Sequence, residues 1–238
     1  MILQKKLLET DWQTLIVLDA CRYDVFSLAI KSHAIDGDLI EANTDSCKTS
    51  EWYRCNWNKY NDNIVLITGH PQVRRGEFHK NFHATINVEG ATPEWILPDR
   101  TFDLTIKAQS DYPDKKTMTH LIPPHLPFMG EKGKAFMVEV MGREKWSDQI
   151  GRRINGTTLY SLATEYGKKN GWDKLKEYYR ENLDYVLNEL LSYLNRLKYP
   201  VVITSDHGEL LGEHEVYGHR GGRDILRRVP WFKVRGAG

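Results

Sequence analysis

The chain has 238 residues, and its 33 lysines and arginines almost balance its 32 aspartates and glutamates, for a formal net charge of +1. This balance excludes a basic nucleic-acid-binding arm and an acidic tail as the main feature. With 40% hydrophobic and 11% aromatic residues, the chain can build a folded core. We expect one domain over residues 1–238, because α/β domains of about 200 to 250 residues are often single units.

The sequence carries no pattern for export or for crossing a membrane. Its longest apolar stretches, 15–18 and 201–203, fall far short of the ~18 residues that a spanning helix needs. Residues 1–14 interleave charges with leucines and lack the apolar region of a secretion signal. The three cysteines match no Cys-x-x-Cys spacing, which favours reduced thiols. We therefore predict a cytoplasmic protein; the oligomeric state stays open.

Strands and helices alternate through the first 70 residues. The run TLIVLD at 14–19 predicts a buried strand, and the residues after it have helical spacing. A second strand is predicted at 37–43, a helix opens at Thr49, and a third strand covers 63–69. This alternation predicts an α/β protein whose central sheet is mostly parallel and covered by helices.

The pattern of strands and helices is weaker between residues 70 and 172. Residues 70–115 resist assignment, with a possible strand at 103–108, and a further strand at 118–122 runs into a proline-rich loop. The stretch that continues to about residue 153 is predicted to be a surface excursion over the site. Leucines at steps of three and four predict one long amphipathic helix over 172–197. The strand that follows it delivers Asp206 and His207 into a loop.

Polar residues follow several of these strands, where functional groups of parallel sheets gather. Asp19 ends the first strand, His120 and His125 flank the fifth, and Asp206 and His207 follow the last. Asp19, Asp206 and His207 together offer the oxygen and nitrogen ligands that suit Zn²⁺, Mn²⁺ or a related divalent ion. Taken singly, an aspartate after a strand is also a common cap or turn residue.

The sequence allows two interpretations of Thr49. At the start of a helix, its hydroxyl can serve as a nucleophile, helped by a nearby metal ion and by the positive end of the helix dipole. Thr49 or Ser50 can equally cap the helix. Spacing alone leaves both open.

Four segments resemble the alkaline phosphatase and sulfatase superfamily: LDACRYD at 18–24, CKTSEW at 47–52, PPHLPF at 123–128 and TSDHGELLGEHEVYGH at 204–219. More narrowly, they are similar to archaeal sulfatase-like proteins, lipoteichoic acid synthases and phosphoethanolamine transferases. The resemblance implies a three-layer α/β/α sandwich that holds a divalent metal ion. It also implies a nucleophile that becomes covalently phosphorylated or sulfated.

The resemblance implies a metal site and a nucleophile. Asp19 matches the acidic ligand after the first strand, and Asp206 and His207 match the ligand pair of the Asp-His-Gly motif. Thr49, in Lys-Thr-Ser-Glu, resembles the nucleophilic threonine of lipoteichoic acid synthases and completes the metal site, and the same match selects it over Ser46, Cys47 and Ser50. One ion is expected, first Zn²⁺ or Mn²⁺, with Mg²⁺ or Ca²⁺ as alternatives.

Further residues are assigned to the substrate. His125 resembles the histidine that contacts the transferred group in sulfatases, and His219 falls where phosphoethanolamine transferases keep a histidine; both are predicted to be catalytic. We assign Arg22, Lys48 and His120 to substrate binding, since the two cations can neutralise a phosphate. The alternatives are surface charges for Arg22 and Lys48, and a weak second ion held by the histidines.

Two departures from the superfamily narrow the function. No Cys/Ser-x-Pro-x-Arg pentapeptide occurs, so the formylglycine of true sulfatases is not expected, and the Asp-x-x-x-His pair of two-metal phosphodiesterases is missing. The prediction is a metal-dependent hydrolase or transferase acting on small anionic phosphate esters through Thr49. The alternatives are a sulfate-ester hydrolase and a catalytically silent relative that binds an anion or a glycan.

Overall fold

The structure, a computed structural model, describes residues 2–89, 97–141, 158–221 and 223–236. None of the helices in these ranges combines the length and the apolar character needed to cross a membrane. The strands are β1 (Ile2–Leu3), β2 (Thr14–Asp19), β3 (Gly37–Asn43), β4 (Asn61–Thr68), β5 (Phe82–Asn87), β6 (Lys116–Pro124), β7 (Val201–Ser205), β8 (Leu210–Leu211), β9 (Tyr217–Gly218) and β10 (Arg228–Val234). The helices are α1 (Gln4–Leu8), α2 (Tyr23–Ala29), α3 (Thr49–Asn56), α4 (Pro71–Arg75), α5 (Pro98–Asp111), α6 (Glu131–Met141), α7 (Leu159–Asn170) and α8 (Asp173–Tyr193).

Eight of these strands form one sheet in the order β1-β3-β10-β7-β2-β6-β4-β5. The neighbours pair in parallel except at β10, which is antiparallel to both β3 and β7. The remaining two, β8 and β9, form a small antiparallel pair after the main sheet. The mostly parallel sheet predicted from the sequence is therefore confirmed.

Two cores lie on opposite faces of this sheet. Along β2, Ile16 and Leu18 pack into a core shared with α2, α5 and α8, whereas Leu15 and Val17 pack into a core shared with α1 and α3. Successive side chains of a strand point to opposite faces, so a strand that is apolar throughout is covered on both sides. Helices above and below the sheet give the three layers of an α/β/α sandwich.

Three elements expected from the sequence can be compared with the structure. The strand expected at 103–108 is wrong, because these residues belong to α5. The long helix expected over 172–197 is confirmed as α8, followed by a short 3-10 helix at Leu194–Arg196. Of the surface excursion expected up to about residue 153, α6 covers 131–141 and the rest lies outside the described residues.

Candidate active site

The ends of two adjacent strands bring the predicted metal ligands together. Strand β2 ends at Asp19, and β7 ends just before Asp206 and His207. The two strands pair in parallel, with Leu18 opposite Ser205. Parallel pairing places both carboxyl ends at the same edge of the sheet, so residues 187 positions apart become neighbours there.

Three buried side chains and one hydroxyl surround a common point. The Nε2 atom of His207 lies 3.6 Å from Oδ1 of Asp19, 3.5 Å from Oδ2 of Asp206 and 3.4 Å from Oγ1 of Thr49. One ligand atom from each of Asp19, Asp206 and His207 lies within 4.8 Å of the other two. Within the described part of the chain, the two carboxylate oxygens have no hydrogen-bond partner. Buried oxygens of this kind are costly unless a cation binds them, so the donor set fits a divalent metal ion.

The other polar atoms of these ligands are fixed by hydrogen bonds. Oδ1 of Asp206 accepts from the backbone N–H groups of Ala20, at 3.0 Å, and His207, at 2.9 Å. Nδ1 of His207 lies 2.8 Å from the carbonyl oxygen of Gly208, so this nitrogen carries the proton and donates. The lone pair of His207 is thereby left on Nε2, the atom that faces Asp19 and Asp206.

Burial and mutual charge set the protonation of the site. Burial, followed by His219, lowers the pKa of His207 to about 3, which keeps the imidazole neutral and able to bind a metal. Burial would raise the pKa of Asp19, but His125 and His70 outweigh it and hold the pKa well below its ordinary range. Burial, together with Asp19, raises the pKa of Asp206. A bound cation would relieve the unfavourable charge on Asp206.

Thr49 does not cap its helix. Lys48 is the N-cap residue of α3 and makes no capping hydrogen bond through its side chain, whereas Thr49 is the first helical residue. The Thr49 hydroxyl is buried and points to Nε2 of His207 instead. Of the two interpretations that the sequence left open, the structure supports a hydroxyl directed into the site.

His70 was not identified from the sequence. It follows β4, and its Nε2 donates to Oδ2 of Asp19 at 3.1 Å, while its Nδ1 accepts from the backbone of Gln72 at 3.3 Å. This hydrogen bond occupies one oxygen of Asp19 and leaves the other for a metal. The position directly after a buried strand was the available signal, since the same rule had selected Asp19.

His120 lies beneath the metal site rather than at its mouth. The side chain is completely buried on β6, and its Nδ1 is 2.9 Å from the hydroxyl of Tyr53. Its Nε2 lies 3.9 Å from Oδ2 of Asp206. Burial is the main cause that lowers the pKa of His120 to about 4. The imidazole is neutral and enclosed, and its Nε2 has no hydrogen-bond partner in the described part of the chain. Its predicted contact with substrate stays a prediction.

A second group of titratable side chains lies beside the first. Nδ1 of His219 is 3.2 Å from Oε1 of Glu209, and Nε2 of His125 is 3.9 Å from Oε2 of Glu209. Tyr160 contacts both histidines. The two predicted histidines are therefore close together, and Glu209 and Tyr160 are additions to the site. Glu209 belongs to the segment that carries the family resemblance, but no role had been assigned to it.

Arg22 and Lys48, the predicted substrate-binding cations, have carboxylate partners. The Arg22 guanidinium is buried and donates to Asp24, at 2.5 and 2.9 Å, and to Glu213, at 2.6 Å. It thus connects the turn after β2 to the segment between β8 and β9. Lys48 is exposed, with its Nζ 3.7 Å from Oε1 of Glu51. Substrate binding by either residue stays a prediction.

No family model matches the sequence, and no curated protein matches it. Solved structures with the same fold do match. The soluble domain of lipooligosaccharide phosphoethanolamine transferase A from Neisseria meningitidis is 14% identical, with a TM-score of 0.53 over 92% of this chain and 75% of that one. The C-terminal periplasmic domain of EptC from Escherichia coli, solved in complex with zinc, is 13% identical, with a TM-score of 0.55 over 95% and 74%.

A sulfatase matches to a similar extent. A 2-O GAG sulfatase is 14% identical, with a TM-score of 0.60 over 94% of this chain and 64% of that one. Identities at this level show the fold. The chain therefore shares its α/β/α fold with phosphoethanolamine transferase domains and a sulfatase.

Proposed function

We propose that the protein is a metal-dependent phosphoesterase or phosphotransferase in which Thr49 is the nucleophile. The observation that carries this proposal is the convergence of the Thr49 hydroxyl with Nε2 of His207 and two buried, unpartnered carboxylate oxygens of Asp19 and Asp206. A nucleophile beside a set of carboxylate and imidazole ligands is the arrangement that metal-assisted transfer of an anionic group requires.

Asp19, Asp206, His207 and the Thr49 oxygen would hold the ion. When bound, a divalent cation lowers the pKa of a coordinated hydroxyl and stabilises negative charge on a phosphoryl group. Zn²⁺ and Mn²⁺ suit a set of carboxylate and imidazole ligands, and the EptC domain of similar fold was solved with zinc. The His219 ring centroid lies 4.6 Å from that of His207 and 5.7 Å from that of His125, so both histidines are close enough to the site to supply hydrogen bonds to the transferred group or a proton to the leaving group.

The proposed reaction has two steps, with phosphorylated Thr49 between them. Oγ1 of Thr49 forms a bond to phosphorus, the ester P–O bond breaks, and the hydroxyl proton passes to water. The departing oxygen takes a proton from His125 or His219. Water then attacks the phosphorylated threonine: a new P–O bond forms, the Oγ1–P bond breaks, the attacking water gives one proton to the histidine, and Oγ1 of Thr49 takes a proton from solvent as phosphate leaves. Attack by an alcohol transfers the group instead.

Turnover of p-nitrophenyl phosphate, bis-p-nitrophenyl phosphate and p-nitrophenyl sulfate, each with added Zn²⁺ or Mn²⁺, tests the proposal. We expect turnover of at least one phosphate ester. Thr49→Ala should abolish turnover and the acid-stable phosphorylated peptide seen by mass spectrometry, whereas Thr49→Ser should retain part of both. Greater turnover of the sulfate than of either phosphate would contradict the assignment.

Ser50→Ala is the matched control, because Ser50 is the next hydroxyl on α3 and helical geometry turns it about 100° from Thr49. It should keep wild-type turnover, and so should Cys47→Ala. Phosphate found on Ser46, Cys47 or Ser50 would show that the nucleophile is misassigned. Asp19→Ala and Asp206→Ala should each lose the bound ion, measured as metal content, while the protein stays folded; wild-type metal content in both would disprove the site.

A further inference from the structure

Tyr160 joins the two histidines of the second group. It lies at the start of α7, and its hydroxyl is within hydrogen-bond distance of Nε2 of His125 and 3.3 Å from Nδ1 of His219. Its ring meets both imidazoles edge to face, with centroid distances of 5.3 Å to His125 and 5.1 Å to His219. One side chain thus contacts both groups to which the proposed function gives the leaving-group proton.

Each of these histidines also lies near a second hydrogen-bonding group. Nδ1 of His125 lies 2.5 Å from the carbonyl oxygen of Leu126 and therefore carries a proton. Nε2 is the nitrogen of this ring that faces the Tyr160 hydroxyl. Nδ1 of His219 is shared between the Tyr160 oxygen and Oε1 of Glu209. A single hydroxyl therefore contacts one ring nitrogen of His125 and one of His219.

The surroundings keep this hydroxyl in place and protonated. The Thr158 side chain accepts from the backbone N–H of Ser161 and fixes the first turn of α7. Gly218 leaves room for the ring, since a Cβ there would lie 2.9 Å from Tyr160. Burial, then Glu209 and Asp19, raises the pKa of Tyr160 far above its ordinary value. The phenol is therefore a hydrogen-bond donor at neutral pH.

We propose that Tyr160 is a positioning residue: its hydroxyl contacts Nε2 of His125 and Nδ1 of His219, and it orients the His219 ring so that its Nε2 atom can protonate the leaving group. The inference rests on the proposed function. It has a consequence that packing alone does not produce. A proton donor matters most when the leaving group is a poor one. Loss of the hydroxyl should therefore lower kcat/KM by different factors for esters that differ only in leaving group.

Tyr160→Phe tests this inference, because it keeps the ring and removes the oxygen. With the metal-loaded protein, we expect kcat/KM to fall about 10- to 100-fold for phenyl phosphate. The fall should be clearly smaller for p-nitrophenyl phosphate, because nitrophenolate leaves without a proton. Tyr166→Phe is the matched control on the same helix; its ring packs against Phe136, away from the histidines, and it should equal wild type on both esters. Equal losses on the two esters would overturn the inference.

A second measurement does not depend on turnover. In metal-free protein labelled with ¹⁵N, Tyr160→Phe should move the Nε2 resonance of His125 and the Nδ1 resonance of His219, while Tyr166→Phe leaves both in place. Unchanged resonances in Tyr160→Phe would refute the positioning role whether or not either ester is hydrolysed. If the wild type hydrolyses neither ester but the resonances move, the proposed function fails and the orienting hydrogen bonds stand.

Discussion

Asn182 on α8 fixes the loop that carries His125. Its Nδ2 faces the carbonyl oxygens of Pro124, His125 and Pro127, each at 3.2 Å, and its Oδ1 accepts from the backbone N–H of Met129 at 2.6 Å. The side chain is completely buried. A helix packed on the sheet therefore holds the loop that carries His125 through one amide.

Asn182→Asp preserves the shape of this side chain and its acceptor oxygen but replaces the only donor with a second acceptor facing three carbonyl groups. Two lost N–H hydrogen bonds cost about 1 kcal/mol each, and an unpaired buried carboxylate adds several more. We expect a loss of about 3 to 5 kcal/mol at neutral pH, a large share of the about 5 to 15 kcal/mol that stabilises a typical domain.

The loss should depend on pH, with a defined sign. The introduced carboxyl can donate to the carbonyl groups only when protonated, so its pKa is higher in the folded state than the value of about 3.9 in the unfolded chain. Above that pH the folded variant binds more protons than the unfolded one, so its stability relative to wild type decreases as pH rises towards the folded-state pKa.

Urea unfolding of wild type and Asn182→Asp at pH 5 and pH 8 measures both effects. The matched control is Asn188→Asp, an exposed position on the same helix, which should stay within about 0.5 kcal/mol of wild type at both pH values. A loss below about 1 kcal/mol in Asn182→Asp, or one that is the same at both pH values, would refute the reasoning.

Two further changes test the surroundings of the proposed metal site. His70→Ala removes the donor to Asp19 and should weaken Zn²⁺ binding about 10- to 100-fold in a competition titration. The control is His79→Ala, since the His79 ring contacts only a loop carbonyl among the described contacts. Equal affinities of His70→Ala and wild type would show that His70 is not part of the site. Burial raises the pKa of Glu209 from 4.5 to about 8, so the folded metal-free protein holds a proton that the unfolded chain releases. Wild type should therefore lose stability relative to Glu209→Gln as pH rises from 4.5 to 8, and thermal unfolding of both proteins across this range measures the loss. A difference in stability that does not change with pH would contradict the assignment.

Helix α5 shows where sequence patterns fail. Leu104 and Ile106 alternate with polar residues and suggested a strand, but the buried face of the helix is partly polar. Thr105 hydrogen bonds to Thr119 at 2.7 Å, and Gln109 donates to Thr117 at 2.8 Å, both on β6. A helix that meets the sheet partly through hydroxyl and amide groups has polar residues at buried positions, so its apolar residues alone do not outline the buried face.

The predicted metal ligands could be found from the sequence, whereas Tyr160 could not. Asp19, Asp206 and His207 were predictable because each follows a recognisable buried strand, and the sheet order then brings the strands together. Tyr160 was not, because it reaches the site only through the packing of α7 against β9, which no local pattern records. Its contacts are tertiary, between residues that are distant in sequence.

The antiparallel strand β10 has a consequence for how the protein folds. Within the described sheet, β1 and β3 connect to the site-bearing strands only through β10, whose Val234 pairs with Gly37 of β3. Two early segments must therefore wait for residues 228–234 before they can join the sheet. Contacts of such large sequence separation require closing long loops, which slows folding.

Until β10 is in place, β7 remains an edge strand, although it leads directly to Asp206 and His207. An unpaired edge exposes backbone N–H and C=O groups to other chains. We therefore expect the loss of β10 to expose this edge of β7 and to favour aggregation, so that residues 228–234 protect the strand that leads to Asp206 and His207.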